Sequence, residues 1–240
     1  MLKICELVHR RPGLSVEQFQ AYWRETHGPI VATIPGIRRY VQSHPLPGGY
    51  GKAPLAWDGV AEIWVDDKAA LQAMSRTPAF AAAKADEPNF IDSDRLEELL
   101  THEEVIVDGA APAGGVKAFM FLNRRADLTP EAFQAHWRAV HGPIVAGYPR
   151  LRRYVQSHVR LGRYRKAPPP ACDGIAVLWF DAVDDMRAGT SSEAAIAARA
   201  DGDRFLAPDP VPLVITRERV VLDHVGAVAD APAPADTGQR

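Results

Sequence analysis

Three groups of residues have the types and spacing that proton-transfer chemistry needs. Tyr40, Gln42 and His44 alternate along Ile37-Arg-Arg-Tyr-Val-Gln-Ser-His44, so an extended strand sends all three side chains out of one face. A histidine titrating near neutrality moves a proton there, and a tyrosine donates a hydrogen bond to a carbonyl or enolate oxygen. His27 stands in Phe19-Gln-Ala-Tyr-Trp-Arg-Glu-Thr-His27-Gly-Pro-Ile-Val31, just before a glycine and a proline. Glu62 alternates with Trp64, Val60 and Asp58. A carboxyl beside tryptophan in an apolar cavity is expected to have a raised pKa and to serve as acid or base.

Each group except Glu62 occurs twice. Phe133-Gln-Ala-His-Trp-Arg-Ala-Val-His141-Gly-Pro-Ile-Val145 repeats the His27 stretch, ten of thirteen positions being identical at an offset of 114. At the same offset Tyr154, Gln156 and His158 repeat Tyr40, Gln42 and His44. Trp64 returns as Trp179 and Asp58 as Asp173 once a one-residue insertion has moved the offset to 115. The halves disagree at Cys5, Glu6, His9 and Glu62, which correspond to Phe119, Met120, Asn123 and Val177. One working pocket dominated by the first half is therefore expected, with the second half degenerate or holding substrate.

Each candidate also has a structural reading. Tyr40, Gln42 and His44 would satisfy one another and pin the Pro/Gly-rich loop that follows. His27 would hydrogen-bond the Gly28-Pro29 turn. Glu62 would be an outward carboxylate on a solvated face, and Asp58 a turn residue before Gly59 or the carboxylate that orients a histidine.

The elements that must position these side chains follow from local pattern. Lys3 to Arg10 is apolar-rich and closed by Arg11-Pro12-Gly13, so it reads as a strand running into a turn. Ser15 and Gln18 have capping-box spacing ahead of Val16, Phe19 and Trp23 at helical intervals; in the copy Thr129 is the N-cap and Pro130 the first helical residue. The helix is expected to end near His27, with Gly28 left-handed and Pro29 unable to continue the ladder. Ile37–His44 and Asp58–Val65 are strands, Asp66 or Asp67 caps a helix through Met74, Pro78 opens a short turn through Lys84, and Thr101–Val107 is a fourth strand. Each half is then β-α-β-β-α-β.

The domain expectation is residues 1–108 for the first repeat, 109–115 for a flexible linker, 116–224 for the second repeat and 225–240 for a disordered tail. Of 240 residues 47% are hydrophobic and 24% charged, as in soluble globular chains, and the net charge of -2 argues against a nucleic-acid partner. No apolar run has the length of a signal peptide or membrane span, so no membrane partner and a cytoplasmic location are expected. Cys5 and Cys172 occupy non-equivalent places and read as free thiols. Neither His136/His141 nor His102-Glu-Glu has a familiar ligand spacing, so no metal is expected.

The β-α-β-β-α-β order is the ferredoxin-like unit, an antiparallel sheet with helices on one face. Two units in one chain can press their open faces together, so the fold class is α+β, with tandem repeats closing an intramolecular dimeric α/β barrel around a cavity. The motif Phe-x-x-Tyr/His-Trp-Arg-x-x-His-Gly-Pro followed by Arg-Arg-Tyr-Val-Gln-Ser-His, present in both repeats, resembles the EthD family of the dimeric α/β-barrel superfamily. That resemblance implies the barrel fold; it also implies a small hydrophobic ligand, with accessory roles in ether degradation and dehydratase, decarboxylase or cyclase activity on polyketides among the relatives. His27 and His141 are the signature histidines of this resemblance.

The function expected on these grounds is a cofactor-independent lyase, dehydratase or cyclase acting on a small polyketide-like or aromatic carbonyl compound. The alternative is a non-catalytic binding or accessory protein associated with an oxygenase or degradation pathway. Catalytic roles are expected of His44, Tyr40, Glu62 and His27. Gln42, Trp64, Asp58, His9, Tyr154, Gln156, His158, His141 and Trp179 are expected to bind substrate, and the fused barrel has homo-oligomer formation as a further possibility.

Overall fold

The repeated strand pattern closes on itself. The computed structural model describes residues 1–51 and 55–225, so the tail expected from residue 225 falls, apart from Val225, outside the described residues. The first repeat contributes β1 (Leu2–Val8), β2 (Ile37–Pro45), β3 (Gly59–Val65) and β4 (Glu97–Val107). The second contributes β5 (Val116–Leu122), β6 (Arg153–Val159), β7 (Gly174–Phe180) and β8 (Leu213–Asp223). All eight join in one closed antiparallel barrel in the order β1-β3-β2-β8-β5-β7-β6-β4. Within each repeat the order is ferredoxin-like, and the edges are matched between repeats, β2 to β8 and β4 to β6. Among the described residues no edge of the barrel is left open.

Strand alternation sorts the side chains into two environments. The inward face carries Cys5, Leu7, Val60, Leu99, Phe119, Phe121, Val177 and Val214, which form one cluster across both repeats. An eight-stranded barrel is about wide enough for side chains to fill. Phenylalanine and tryptophan occupy much of the interior, and the expected cavity between the sheets is reduced to a space of about 330 Å³ at one end, lined by Glu62, Trp64, Lys117 and Trp179. The outward face carries Ile4, Tyr40, Ala61 and Ile63 in one repeat and Ala118, Tyr154, Ala176 and Leu178 in the other, each packed under helices.

The helices over the first repeat are α1 (Val16–Tyr22), α2 (Gly28–Ala32), α3 (Lys68–Met74) and α4 (Pro78–Asp86). Those over the second are α5 (Pro130–His136), α6 (Gly142–Ala146), α7 (Val183–Thr190) and α8 (Glu193–Gly202). Ser15 and Gln18 form the capping box, and Thr129 caps α5 with Pro130 just inside. The expected helix end at His27 is not found. Gly28 is right-handed helical, and the chain turns from α1 into α2 through one π turn, Trp23–His27, in which the Gly28 N–H donates to the Trp23 carbonyl. Pro29 lacks an N–H and its ring would crowd the carbonyl four residues back, and the wider turn absorbs both. The fourth strand begins at Glu97, four residues before the expected Thr101.

Candidate functional site

The π turn sets the site. The indole N–H of Trp23 donates to the Tyr40 hydroxyl at 3.2 Å, and Gln42 Nε2 donates to both the Trp23 carbonyl at 2.8 Å and the Tyr40 hydroxyl at 3.0 Å. Gln42 Nε2 would lie 2.9 Å from a Cβ at position 28, so only glycine lets the turn sit this close to β2. Gly59 has the same reason, since a Cβ there would run into the Trp23 ring. The second repeat repeats the arrangement with Trp137, Tyr154 and Gln156.

His27 leaves the last residue of that turn toward α4. Its Nδ1 lies 2.9 Å from Asp86 Oδ2, while Asp86 Oδ1 accepts from the Tyr22 hydroxyl at 2.7 Å and from Asn89 Nδ2 at 3.0 Å. Burial alone would raise the Asp86 pKa, but these three donors outweigh it and hold the carboxyl below its ordinary value. The ionised carboxylate fixes His27 as the Nδ1–H tautomer and leaves Nε2 as the base. Burial lowers the His27 pKa more than Asp86 restores it, so the imidazole is neutral at pH 7. His141 pairs with Asp201 in the same way at 3.0 Å, and there His136 takes the place of Tyr22 as a further partner of the aspartate at 3.1 Å.

Two cavities lie outside the barrel, between each sheet and its helices. The first-repeat pocket, about 780 Å³, is walled by Ile4, Val31, Ile63 and Leu71 and contains His27 and Glu6. The second-repeat pocket, about 890 Å³, contains His141, Tyr154 and Leu178, with Met120 at the position of Glu6. Burial, reinforced by the nearby charges of Glu98 and Glu87 and opposed by Lys84, pushes the Glu6 carboxyl up to about 8. Glu87 and Glu98 are themselves tied to Lys84 at 2.7 and 3.3 Å. The first pocket thus holds a neutral base and a protonated acid at pH 7, a pairing suited to moving protons in both directions. The second keeps the His–Asp pair but has no acid in place of Glu6.

Of the residues expected from sequence, His27 falls in the first pocket, His141 and Tyr154 fall in the second, and Glu62, Trp64 and Trp179 line the smaller space at the end of the lumen. Tyr40, Gln42 and His44 do share a face, but it looks toward the helices rather than into the barrel. His44 Nε2 lies 3.2 Å from Gln42 Oε1, its ring packs on Trp23 at 4.6 Å, and burial takes its pKa down to about 3. Gln156 and His158 are placed alike, with His158 also near 3 because of burial. These residues form a chain of hydrogen bonds behind the π turn.

Glu62 lies in the lumen, bridging Lys3 at 2.7 Å and Lys117. Its expected upward shift is reversed: burial raises the pKa, but the two ammonium groups outweigh it and hold the carboxyl at about 2. Trp64 and Trp179 close the same end of the lumen, donating to Glu103 and Glu218 at 2.8 and 3.2 Å. Asp58 braces Arg10 through its backbone N–H and guanidinium at 3.0 and 2.8 Å, and His9 meets Arg95 at 3.2 Å. Neither lines a pocket described above. The residues that sequence reasoning left out of its site are Glu6 and Asp86; Glu6 was already visible as a difference between the halves, whereas Asp86 carried no local signal.

Among the described residues no cluster of histidine, cysteine, aspartate and glutamate is arranged to hold a metal ion, and no helix is long and apolar enough to cross a membrane. No curated protein sequence matches the chain. Solved structures share its fold. An anthrone oxidase-like protein superposes with a TM-score of 0.62 at 13% identity, covering 94% of this chain and 95% of its own. Provisionally assigned monooxygenases from Fusobacterium nucleatum and Lactobacillus acidophilus give TM-scores of 0.59 and 0.57 at 8% and 11% identity. They cover 91% and 93% of this chain, and 92% and 95% of their own. At such identities the likeness is one of fold. The EthD domain model matches residues 11–94 and again 125–209, spanning both π turns and both His–Asp pairs. The chain belongs to the EthD domain family and carries that domain twice.

Proposed function

We propose that the first-repeat pocket is the active site of a cofactor-independent acid/base enzyme of the lyase, dehydratase or cyclase type, acting on an apolar carbonyl compound. The observation that carries this reading is the presence in one apolar pocket of His27, neutral with Nε2 free to accept, and Glu6, protonated at neutral pH. His27 Nε2 removes a proton from the carbon next to the carbonyl, and Glu6 protonates the oxygen that departs or gains charge. In a dehydration the β-hydroxyl leaves as water with the Glu6 proton, and the imidazolium returns its proton to the Glu6 carboxylate. Asp86 stabilises the imidazolium between these steps.

For the second-repeat pocket we propose binding without catalysis, because Met120 stands where Glu6 would be. Tyr154 accepts hydrogen bonds from Trp137 and Gln156, which leaves its O–H to donate to a bound carbonyl.

The enzymatic reading is tested by exchange of the α-protons of a neutral ketone that carries an aromatic ring, 2-tetralone, in D₂O, followed by proton NMR. His27→Gln and Glu6→Met are each expected to slow exchange by about 10²-fold or more. Wild-type rates in both variants would overturn it.

A further inference from the structure

The mouth of the first-repeat pocket is built by the other repeat. After β6 the chain turns at Leu161–Arg165, tied to β4 by the Arg160 N–H donating to the Leu100 carbonyl at 3.0 Å. Arg160, Leu161, Gly162, Arg163 and Lys166 from this segment line the pocket, joined by Lys68 from the first repeat. The Arg163 guanidinium donates to the carbonyls of Lys166 and Pro168 at 3.2 and 2.6 Å, so it shapes the segment while keeping its charge. Arg160, Lys166 and Lys68 form no ion pair among the described residues, whereas the carboxylates Glu87 and Glu98 of the same pocket are both engaged by Lys84.

The corresponding segment of the first repeat carries less charge: Leu46 and Gly49 stand where the second repeat has Arg160 and Arg163, while Lys52 corresponds to Lys166. The second-repeat pocket has no excess of cations in its lining among the described residues: Arg125 is paired with Asp127 at 2.9 Å, and Arg199 is accompanied by the carboxylates Asp203 and Asp209. Two changes therefore converge on one pocket, an acid on its floor from the first repeat and unneutralised cations at its mouth from the second. Cations at the rim of an apolar cleft act through low-dielectric walls, which strengthens their pull on an anion.

We infer that the first-repeat pocket takes an apolar carbonyl compound bearing an anionic group such as a carboxylate, held at the mouth by Arg160 and Lys166 of the second repeat. This deepens the acid/base reading of the same pocket and rests on it for the position of the reacting carbonyl. It also gives the fusion of the repeats a consequence, since neither repeat alone carries both ends of the site.

The test is a fluorescence titration of the full chain with two dyes sharing one ring system, anionic 8-anilinonaphthalene-1-sulfonate and neutral N-phenyl-1-naphthylamine. The anionic dye is expected to bind about tenfold more tightly at low salt. In the Arg160→Leu/Lys166→Gln double variant that preference is expected to fall within about twofold, with the neutral dye's affinity held. Leu71→Trp, which fills the pocket from a part-exposed wall position, is expected to weaken both dyes. Equal affinity for the two dyes, a preference retained in the double variant, or no effect of Leu71→Trp would each overturn the inference. Dye binding needs no proton transfer and 2-tetralone carries no anion, so this inference and the acid/base reading fail separately.

Discussion

Asp86 accepts the Nδ1 hydrogen bond of His27 at 2.9 Å, joining the π turn before Pro29 to the end of α4. The pair makes His27 a base with a defined tautomer, and it recurs as His141 and Asp201. Asp86→Asn keeps the shape of the site but removes the charge that selects the Nδ1–H form and stabilises the imidazolium. The expected result is a fall in kcat of about 10²-fold or more with a much smaller change in KM, read from the ketone exchange rate against ketone concentration.

The rate of exchange should be bell-shaped in pH. It rises as His27 loses its proton, with a midpoint below the ordinary histidine value, and falls as Glu6 ionises near pH 8. In Glu6→Met the alkaline fall should be gone. The same carboxyl has a stability signature: its folded-state pKa lies above the unfolded one, so its contribution is fully present below about pH 4.5 and is lost as pH rises through about 8. Glu6→Met should therefore be more stable than wild type at pH 9 by on the order of a few kcal/mol, measured by urea unfolding. A Glu6→Met variant with an unchanged alkaline limb would contradict the assignment of that limb.

His44 and His158 are buried and neutral, with pKa values near 3. Their folded values lie below the unfolded ones, so the stability they contribute is complete above about pH 6.5 and is lost as pH falls toward 3. His44→Gln and His158→Gln should each flatten the acid side of the stability curve by roughly 1.4 kcal/mol per pH unit between pH 6 and 4.5. Urea midpoints across that window report it, and unchanged slopes would show that the histidines take up protons without opening the fold.

Glu62 is expected to matter for folding and not for proton transfer. Glu62→Gln leaves Lys3 and Lys117 facing each other in the lumen without the carboxylate that bridges them. The expected loss of stability is about 3–5 kcal/mol, while the folded fraction at low temperature exchanges ketone protons at the wild-type rate. A slowed rate in fully folded protein would return Glu62 to the site.

Much of the fold was legible because its signals are local. The capping box at Ser15 and Gln18, the proline at position 130 and the period-two strands all act within a few residues. The repeat then implied two ferredoxin-like halves and their pairing. What was not legible is which face of each strand turns inward. In β5 both faces are apolar, Phe119 and Phe121 inward and Ala118 and Met120 outward, so alternation alone gives no direction. The face of Tyr40 and His44 was placed by the same ambiguity.

Glu62 pointed toward acid/base chemistry only while its partners were unseen. Lys117 is 55 residues away and belongs to the other repeat. Asp86 is 59 residues from His27, beyond the reach of any motif spacing. The Gly28-Pro29 pair is a strong stop signal for an α ladder, and the π turn evades it by moving the hydrogen bond one residue further back. Glu6 was the legible exception, since its replacement by Met120 is visible once the halves are aligned.

That the two pockets differ in chemistry, although both hold a His–Asp pair, is tested most directly by the α-proton exchange rate of 2-tetralone in His27→Gln against His141→Gln, each in the intact chain. A loss of about 10²-fold or more is expected in the first and a rate within about twofold of wild type in the second. Equal losses in the two variants, or a normal rate in His27→Gln, would contradict it.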